Sequence, residues 1–255
     1  MLDYLAVGID PERSTIYLQS AVPQTSELAV LLEALVPLSR LQRLSSLKEM
    51  ALHARLTEQP LLLTAYPVLQ AVEITREIAR RFNHLYGPTF TVPVAQVSGG
   101  TLVGTNNGQK MSKSTGNAIF LSDDADTVAR KVRKMYTDPA RVHAHIPGTV
   151  EGNPVFDYLD QFCTDAALVA QLKERYRAGT VGDGEVKGHL TDALLALLDP
   201  IRARREALAK QRGLVESIVL EGSARMQDVA ADTMRAVRKA MGLDRTLTRF
   251  RRAVR

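Results

Sequence analysis

The sequence predicts an α/β front half with a parallel sheet, followed by an all-helical back half. Strand-like and helix-like segments alternate up to about residue 121, which is typical of a layered α/β arrangement. Beyond residue 122 the apolar residues recur with helical spacing. The two halves meet at a glycine-rich stretch, residues 98–117.

In the front half, proline-bounded runs of β-branched and aromatic residues alternate with apolar residues at helical spacing. Strands are predicted over residues 15–19 and 89–92, helices over 26–38, about 40–55 and 69–82, and residues 61–64 are a short buried strand or a helix start.

The back half is predicted to contain three further helices. The first covers residues 126–136, with Ser122 or Asp123 as its N-cap. A second starts near residue 186, is kinked by Pro200, and places five apolar residues on one face: Leu190, Leu194, Leu197, Leu198 and Ile201. The last covers 222–241 and stops at Gly242.

Composition excludes several classes of protein. With 45% hydrophobic and 24% charged residues among 255, the chain is too apolar to be disordered, and no apolar run is long enough to span a bilayer. The single cysteine, Cys163, excludes a disulfide framework and fits a reducing compartment. The N-terminal residues lack the pattern of a secretion signal, so we expect a cytoplasmic protein with no membrane partner.

The net charge of +5 is unevenly distributed. Residues 201–255 hold 14 basic and 6 acidic side chains, whereas the rest of the chain is slightly acidic. Such a basic segment suggests contact with a polyanion such as tRNA, through Arg202, Arg204 and Arg205. The alternative, that these arginines solvate a helix face, is favoured by charge alone. The arginines of the last residues, 245–255, either touch tRNA phosphates or form a solvated end.

The glycine-rich stretch carries two lysines that flank a serine. Five glycines between residues 99 and 116 predict a mobile loop. Lys110 and Lys113 in such a loop suit a triphosphate, because ammonium groups neutralise the charge that develops on a leaving pyrophosphate. The alternative is a solvated surface loop with two ordinary lysines.

Residues 110–114 read Lys-Met-Ser-Lys-Ser, the complete KMSKS signature of the class I aminoacyl-tRNA synthetases. The segments around it are similar to the tryptophan-specific branch of that family, the tryptophan–tRNA ligases. The similar segments reach to about residue 243 and are residues 4–11, 19–23, 40–50, 66–71, 75–83, 136–139, 151–156 and 240–243.

The resemblance implies a domain organisation and a reaction. It implies a partial Rossmann-like catalytic domain over residues 1–121, a helical domain of the anticodon-binding type over 122–243, and a basic tail over 244–255. ATP, as its Mg²⁺ complex, and tryptophan would give tryptophanyl-adenylate and pyrophosphate, and the acyl group would pass to the terminal ribose of tRNA(Trp). The family forms homodimers, and no resident metal is implied.

The resemblance also assigns roles to the residues of the loop. Lys110 and Lys113 would stabilise charge on the pyrophosphate. Met111, Ser112 and Ser114 would shape the loop and contact ATP, and Leu102 would lie against the adenine.

Two catalytic segments of the family pattern have no counterpart here. The first strand and its HIGH-type motif should precede Tyr4. After Ala71 the family has a block of roughly twenty residues with an indole-reading aspartate and a Gly-Glu-Asp-Gln turn, whereas here the chain continues directly into Val72. The explanations are a partial reading frame, a fragment or a degenerate paralogue.

Two other functions are therefore kept as alternatives. One is a non-catalytic paralogue or fragment that binds tRNA or a protein partner through its helical half. The other is a regulatory module that binds ATP without depending on tryptophan. His143 and His145 lack a nearby carboxylate or cysteine and are predicted to line a loop rather than hold a metal.

Overall fold

The computed structural model describes residues 1–44, 47–48, 50–51, 60, 63, 68, 72–96, 102–106, 111–112, 116–138, 141 and 143–254. Ten α-helices have both ends within that part of the chain, along with a short 3₁₀ helix, Gln19–Ala21. In chain order they are α1 (Leu2–Ala6), α2 (Gln24–Glu33), α3 (Leu38–Leu41), α4 (Val72–Tyr86), α5 (Ala125–Arg133), α6 (Pro154–Phe162), α7 (Ala166–Arg177), α8 (Asp183–Ala209), α9 (Leu214–Ala240) and α10 (Leu243–Ala253).

The helices gather into two compact units, each made of two stretches of chain. Unit one comprises Met1–Asp10 and Ser98–Val215, and unit two comprises Pro11–Val97 and Glu216–Arg255. The predicted domains, 1–121 and 122–243, are divisions by function and remain predictions. None of the helices within the described ranges is long and apolar enough to cross a membrane.

Unit one is built around a core that four helices share. Each contributes an apolar stripe, with Val128 and Val132 on α5 and Leu172 and Tyr176 on α7 as examples. Three of the four helices begin with a side chain that accepts a backbone N–H, which satisfies donors that a helix start leaves open. These caps are Asp124 for α5, Asn153 for α6 and Asp165 for α7.

The longest helix of unit one, α8, supplies the middle of this core. Leu190, Leu194, Leu198 and Ile201 are buried, as predicted, and Pro200 lies within the helix. Leu197, predicted on the same face, is instead 42% exposed because it lines a surface cavity of about 390 Å³ beside Phe162 and Cys163. Cys163 is partly buried at the edge of the core.

A buried arginine organises the chain between α5 and α8. The Arg141 side chain is fully buried, and its guanidinium donates to the backbone oxygens of Ile146 (2.7 Å) and Ala144 (2.6 Å) and pairs with Asp183 (3.3 Å). It also lies 4.1 Å above the ring of Tyr176. Because a buried guanidinium must have all its donors satisfied, this cluster fixes the loop that enters α8.

Unit two packs α2 and α4 against the last turns of α9. Its core includes Leu32, Ile74, Ile78, Phe82 and Val237, all buried. The residues of α4 that enter the core recur every four positions, which is the spacing of one face of an amphipathic helix.

Of residues 15–19, predicted as a strand, residues 15–18 have no strand pairing and Gln19 already belongs to the 3₁₀ helix. Their partner is α9: the backbone N–H of Leu18 donates to the hydroxyl of Ser223 (3.2 Å). The carbonyl of Ile16 comes so close to Gly222 that a Cβ there would overlap it. Leu18 has an extended backbone, and a helix supplies the hydrogen bond that the prediction assigned to a sheet.

Residues 89–92, the second predicted strand, are also irregular. The side-chain amide of Asn83 takes the place of a neighbouring strand. Its Oδ1 accepts from the N–H groups of Thr89 and Phe90, both at 2.9 Å, and its Nδ2 donates to the carbonyl of Phe90 at 2.7 Å. The ring of Phe90 then packs 4.8 Å from that of Phe82.

Both strand predictions are thus wrong. Across the described ranges the only β-type pairing is a single bridge residue, Val103, so the predicted parallel sheet is not confirmed there. Of the helix predicted over about 40–55, residues 40–44, 47–48 and 50–51 are described. Residues 40–41 end α3, residues 42–44 are not helical, and residues 47–48 and 50–51 are helical. Of residues 61–64 only residue 63 is described, and it is helical.

Most of the predicted helices are present, but their predicted ends are wrong. The helix predicted over 26–38 divides into α2 and α3 because Pro37 disfavours helical backbone in the residue before it. Asp124, rather than Ser122 or Asp123, caps α5. The helix predicted from residue 222 begins at Leu214, and the residues predicted as a basic tail form α10 after Gly242, whose φ of 73° ends α9.

Two leucines on α8 offer a test of the core of unit one. Leu190 is fully buried, whereas Leu197 is 42% exposed. Leu190→Ala is expected to lower the free energy of unfolding by about 2–5 kcal/mol, because it leaves a cavity, and Leu197→Ala to lower it by less than about 1 kcal/mol. Denaturant titration followed by circular dichroism measures both, and equal losses would contradict this description of the core.

Candidate functional site

The predicted phosphate site lies in the signature loop, which we define as residues 102–117. Of the residues predicted to act there, Leu102, Met111 and Ser112 are described, and their neighbours Lys110, Lys113 and Ser114 lie outside the described residues. The described portions of the loop are close together in space, since the N–H of Met111 donates to the carbonyl of Leu102 (3.1 Å).

One buried side chain, Asn117, joins three parts of this loop. Its Oδ1 accepts from the N–H of Ser112 (2.8 Å), inside the signature, and its Nδ2 donates to Oδ1 of Asn106 (2.7 Å). Its own carbonyl accepts from the N–H of Thr105 (2.9 Å). Asn117 is only 1% exposed, and a buried amide holds its position when its donors and acceptors are satisfied.

The loop is attached in turn to the helices of unit one. The hydroxyl of Tyr158, on α6, donates to the carbonyl of Val103 (2.7 Å), and the N–H of Tyr136 donates to the carbonyl of Thr105 (3.2 Å). Leu102 and Met111 pack against the core of the same unit. A site whose supporting groups are fixed by packing can hold reacting atoms more accurately than one on a free loop.

Gly104 is required by close packing. A Cβ at this position would lie 2.9 Å from the Cβ of Asn117 and closer still to its amide. Gly116 serves a different purpose, since its φ of 67° lies in the left-handed region that favours glycine. At these two positions the structure gives a local reason for glycine, and the mobility of the loop stays a prediction.

A described lysine close to the loop is already paired. Lys131, on α5, donates to the carbonyl of Ala118 (2.8 Å) and to Asp123 (2.5 Å), and lies 4.5 Å from the ring of Phe120. This ammonium group stabilises the chain that leaves the loop. Lys110 and Lys113, on either side of Met111 and Ser112 in the sequence, stay the predicted cations for a phosphate.

The three arginines predicted to contact tRNA are bonded within unit one. Arg204 donates to the carbonyl of Ala6 (2.7 Å) and Arg205 to Asp3 (2.6 Å), so both hold α1 against α8. Arg202 donates to the carbonyl of Asp123 (2.7 Å) and pairs with Asp199. These contacts give the arginines a structural purpose, and their contact with tRNA remains a prediction.

The weaker candidates of the sequence are placed as follows. The rings of His143 and His145 are stacked, with centroids 5.5 Å apart, in an exposed turn. Among the described residues no group of three or more histidine, cysteine, aspartate or glutamate side chains is placed to hold a metal ion.

The structural roles of three residues were not predicted from the sequence: Asn117, Gly104 and Tyr158. Only Asn117 carried a signal, because an asparagine among apolar residues shortly after the signature suggests a buried hydrogen-bonding role. The other two depend on contacts with residues 13 and 55 positions away, which no local pattern reveals.

The contact between Gly104 and Asn117 generates one prediction. Gly104→Ala is expected to displace the Asn117 amide and lower the free energy of unfolding by about 1–3 kcal/mol. Gly184→Ala is the matched control, because nothing lies within 4 Å of a Cβ there and alanine favours the helix by up to about 1 kcal/mol. Thermal denaturation compares the two, and hydrogen exchange at the Ser112 amide reports whether the loop is released.

Tyr158 generates a second prediction, on pH. Burial raises the pKa of Tyr158 to about 12 from its ordinary value near 10. Its neutral form is therefore favoured by folding, and this stabilisation is present below pH 10 and lost as the pH rises towards 12. Burial and the contact with Asp183 raise the pKa of Tyr176 to about 12 as well, so both tyrosines contribute.

We expect Tyr158→Phe to reduce the fall in stability between pH 10 and 12 by roughly 1–2 kcal/mol, without abolishing it. Tyr4→Phe, at an exposed tyrosine, controls for the loss of a hydroxyl. Urea titrations at several pH values measure the difference, and an unchanged pH dependence in Tyr158→Phe would show that this side chain does not stay neutral.

Comparison with known proteins places the chain in a family. The family described as class I tRNA synthetases (W and Y) matches residues 1–74 and 71–199. The chain is 55% identical to the tryptophan–tRNA ligase of Treponema pallidum, in a match that covers 95% of this chain and 78% of that protein. Identity to the tryptophan–tRNA ligase of Borreliella burgdorferi is 41%, covering 96% and 77% of the two chains.

The fold is also similar to that of a solved structure, tryptophanyl-tRNA synthetase from Campylobacter jejuni in complex with ADP and tryptophan. The TM-score is 0.73 and the identity 28%, and the match covers 94% of this chain and 81% of that one. By sequence and by fold, the chain belongs to the class I tRNA synthetases of the tryptophan and tyrosine family, in the branch of the tryptophan–tRNA ligases.

Proposed function

We propose that the protein attaches tryptophan to tRNA(Trp) in two steps at the expense of ATP. In the first, the carboxylate of tryptophan attacks the α-phosphorus of ATP, which enters as its Mg²⁺ complex, and pyrophosphate leaves. In the second, the terminal ribose hydroxyl of the tRNA takes the acyl group and AMP leaves. The relatives are named for this activity, and the Campylobacter jejuni protein was crystallised with ADP and tryptophan.

The observation that carries the proposal is a complete signature sequence in a supported loop. Ser112, its central residue, donates to the buried Asn117, and Met111 donates to Leu102. In a first step that moves negative charge onto pyrophosphate, fixed cations stabilise the transition state more than the ground state. Lys110 and Lys113 flank these two anchored residues, and we assign them that role.

Leu102 supports the same assignment from the other side of the loop. It packs against the core while its carbonyl accepts from Met111, so its side chain is held next to the signature. We assign it the contact with the adenine ring, and Met111, Ser112 and Ser114 the contacts that shape the loop around ATP. The predicted Rossmann-like catalytic domain, the homodimer and the cytoplasmic location belong to the same proposal.

A second candidate is a non-catalytic member of the family that binds tRNA or a protein partner. It is favoured by the way in which the relatives match. The family match is broken into two pieces that meet at residues 71–74, and the match to the Treponema pallidum protein extends over 264 residues although this chain has 255. Both findings support a missing internal segment after Ala71, where the family pattern has its indole-reading aspartate.

Tryptophan-dependent exchange of pyrophosphate into ATP separates the two candidates. If the protein is a ligase, exchange occurs, and Lys110→Ala or Lys113→Ala lowers its rate by about 10²-fold or more, as loss of a transition-state donor does. Lys134→Ala is the matched control, because Lys134 is an exposed lysine in the same unit, and its exchange rate should equal that of the unaltered protein.

Each outcome decides between the candidates. Exchange that is lost in both lysine variants and kept in the control establishes the first step of the reaction. A folded protein that binds ATP but shows no exchange belongs to the non-catalytic candidate. ATP binding without any effect of tryptophan would instead indicate a regulatory nucleotide-binding module.

A further inference from the structure

The C-terminal helix α10 holds basic charge that the rest of the described chain does not neutralise. Its sequence includes four arginines and one aspartate and no lysine. Several other arginines of the basic segment are bonded to protein atoms, in pairs such as Arg205 with Asp3 and Arg238 with Glu27. Within the described ranges, by contrast, no carboxylate pairs with Arg245, Arg249 or Arg252.

Three of these arginines share one face of the helix. Residues 245, 249 and 252 are spaced four and three apart, which places them side by side. With Thr248 and Asp244 they line a surface depression of about 410 Å³, and all three are exposed. A concave surface on which positive charge predominates, here three arginines against one aspartate, favours a ligand of the opposite sign.

The single carboxylate of α10 does not cancel this charge. Asp244 stands at the start of the helix, where it favours the helix dipole. Its charge also acts on α9. Arg238 donates a hydrogen bond to Glu27, and this bond, followed by the charges of Glu27 and Asp244, raises the pKa of Arg238.

From this geometry we infer that α10 is a binding site for the sugar–phosphate backbone of RNA, formed by Arg245, Arg249 and Arg252. Guanidinium groups bind phosphate oxygens through two parallel N–H bonds, which an ammonium group cannot do, and α10 uses arginine alone. The site adds affinity without reading sequence, because backbone contacts are the same for every RNA. The inference rests on the proposed function in taking tRNA as the RNA.

An exposed aromatic ring lies on another face of the same helix. Phe250 is 61% exposed and lies about 130° round the helix from the centre of the arginine face. An exposed apolar residue on a basic helix would also suit an anionic membrane surface, and the experiment separates the two ligands.

Binding of a tRNA(Trp) transcript to the full chain at several KCl concentrations tests the inference. In Arg245→Ala/Arg249→Ala/Arg252→Ala, affinity near physiological salt should fall about tenfold or more. The slope of log affinity against log salt should decrease by roughly 2–3, because each phosphate that is no longer neutralised lowers it by about one. An unrelated tRNA should be weakened by the same factor. Alanine favours a helix, so α10 is retained.

Two single variants on the same helix give a matched pair. Arg249→Ala removes a charge from the proposed face. Arg251→Ala removes a charge that lies about 160° round the helix from Arg249, outside that face. Arg249→Ala should weaken binding several-fold and lower the salt slope by about one, and Arg251→Ala should do markedly less. Equal effects would mean that net charge alone is responsible, and would overturn the site.

Two further measurements keep this inference distinct from the proposed function. Pyrophosphate exchange needs no RNA, so its rate should be the same in the triple variant and in the unaltered protein. If neither the triple variant nor the unaltered protein shows exchange, but the salt slope of RNA binding changes as expected, the RNA site is supported and the proposed ligase activity is contradicted. If the triple variant binds RNA normally but loses binding to phosphatidylserine-containing vesicles, the helix serves a membrane and the inference is wrong.

Discussion

The hydrogen bonds of Asn117 are the constraint on which the candidate site depends. A loop built to handle phosphates needs exposed cations and backbone donors, so it cannot be held by a core of its own. The buried amide of Asn117, which follows the signature, bonds to Ser112 inside it and to Asn106 before it, and Tyr158 connects the loop to α6. The described parts of the loop are thereby joined to the helical unit.

Arginine is used in this protein for two different purposes. Arg141 is fully buried and satisfied by backbone carbonyls and Asp183, and Arg204 and Arg205 fasten α1 to α8. These side chains are structural elements that happen to carry charge. Within the described ranges no ion pair involves Arg245, Arg249 or Arg252, so α10 holds part of the excess charge found by counting the basic segment. The net charge of a segment therefore indicates a polyanion-binding surface only when the side chains that already pair within the protein have been identified.

Sequence could predict the family, the loop and most of the helices, and it failed where tertiary contacts replace local preference. The signature is a contiguous pattern, and the amphipathic stripe of α8 is set by spacing alone, so both were accessible. The strands at 15–19 and 89–92 were not, because a side chain of α9 and the amide of Asn83 supply the bonds that β-rich residues would otherwise seek. Gly104 was interpreted as a source of freedom, whereas the neighbour that makes it necessary is Asn117.

The Asn83 contact also bears on how the protein avoids aggregation. Residues 89–92 read Thr-Phe-Thr-Val, an uncharged β-prone segment of the kind that pairs with other chains when its backbone is left open. By accepting from two of its N–H groups and donating to one of its carbonyls, Asn83 occupies the positions through which a second molecule would join. One amide on a helix thus occupies backbone groups of a β-prone segment that pairs with no strand among the described residues.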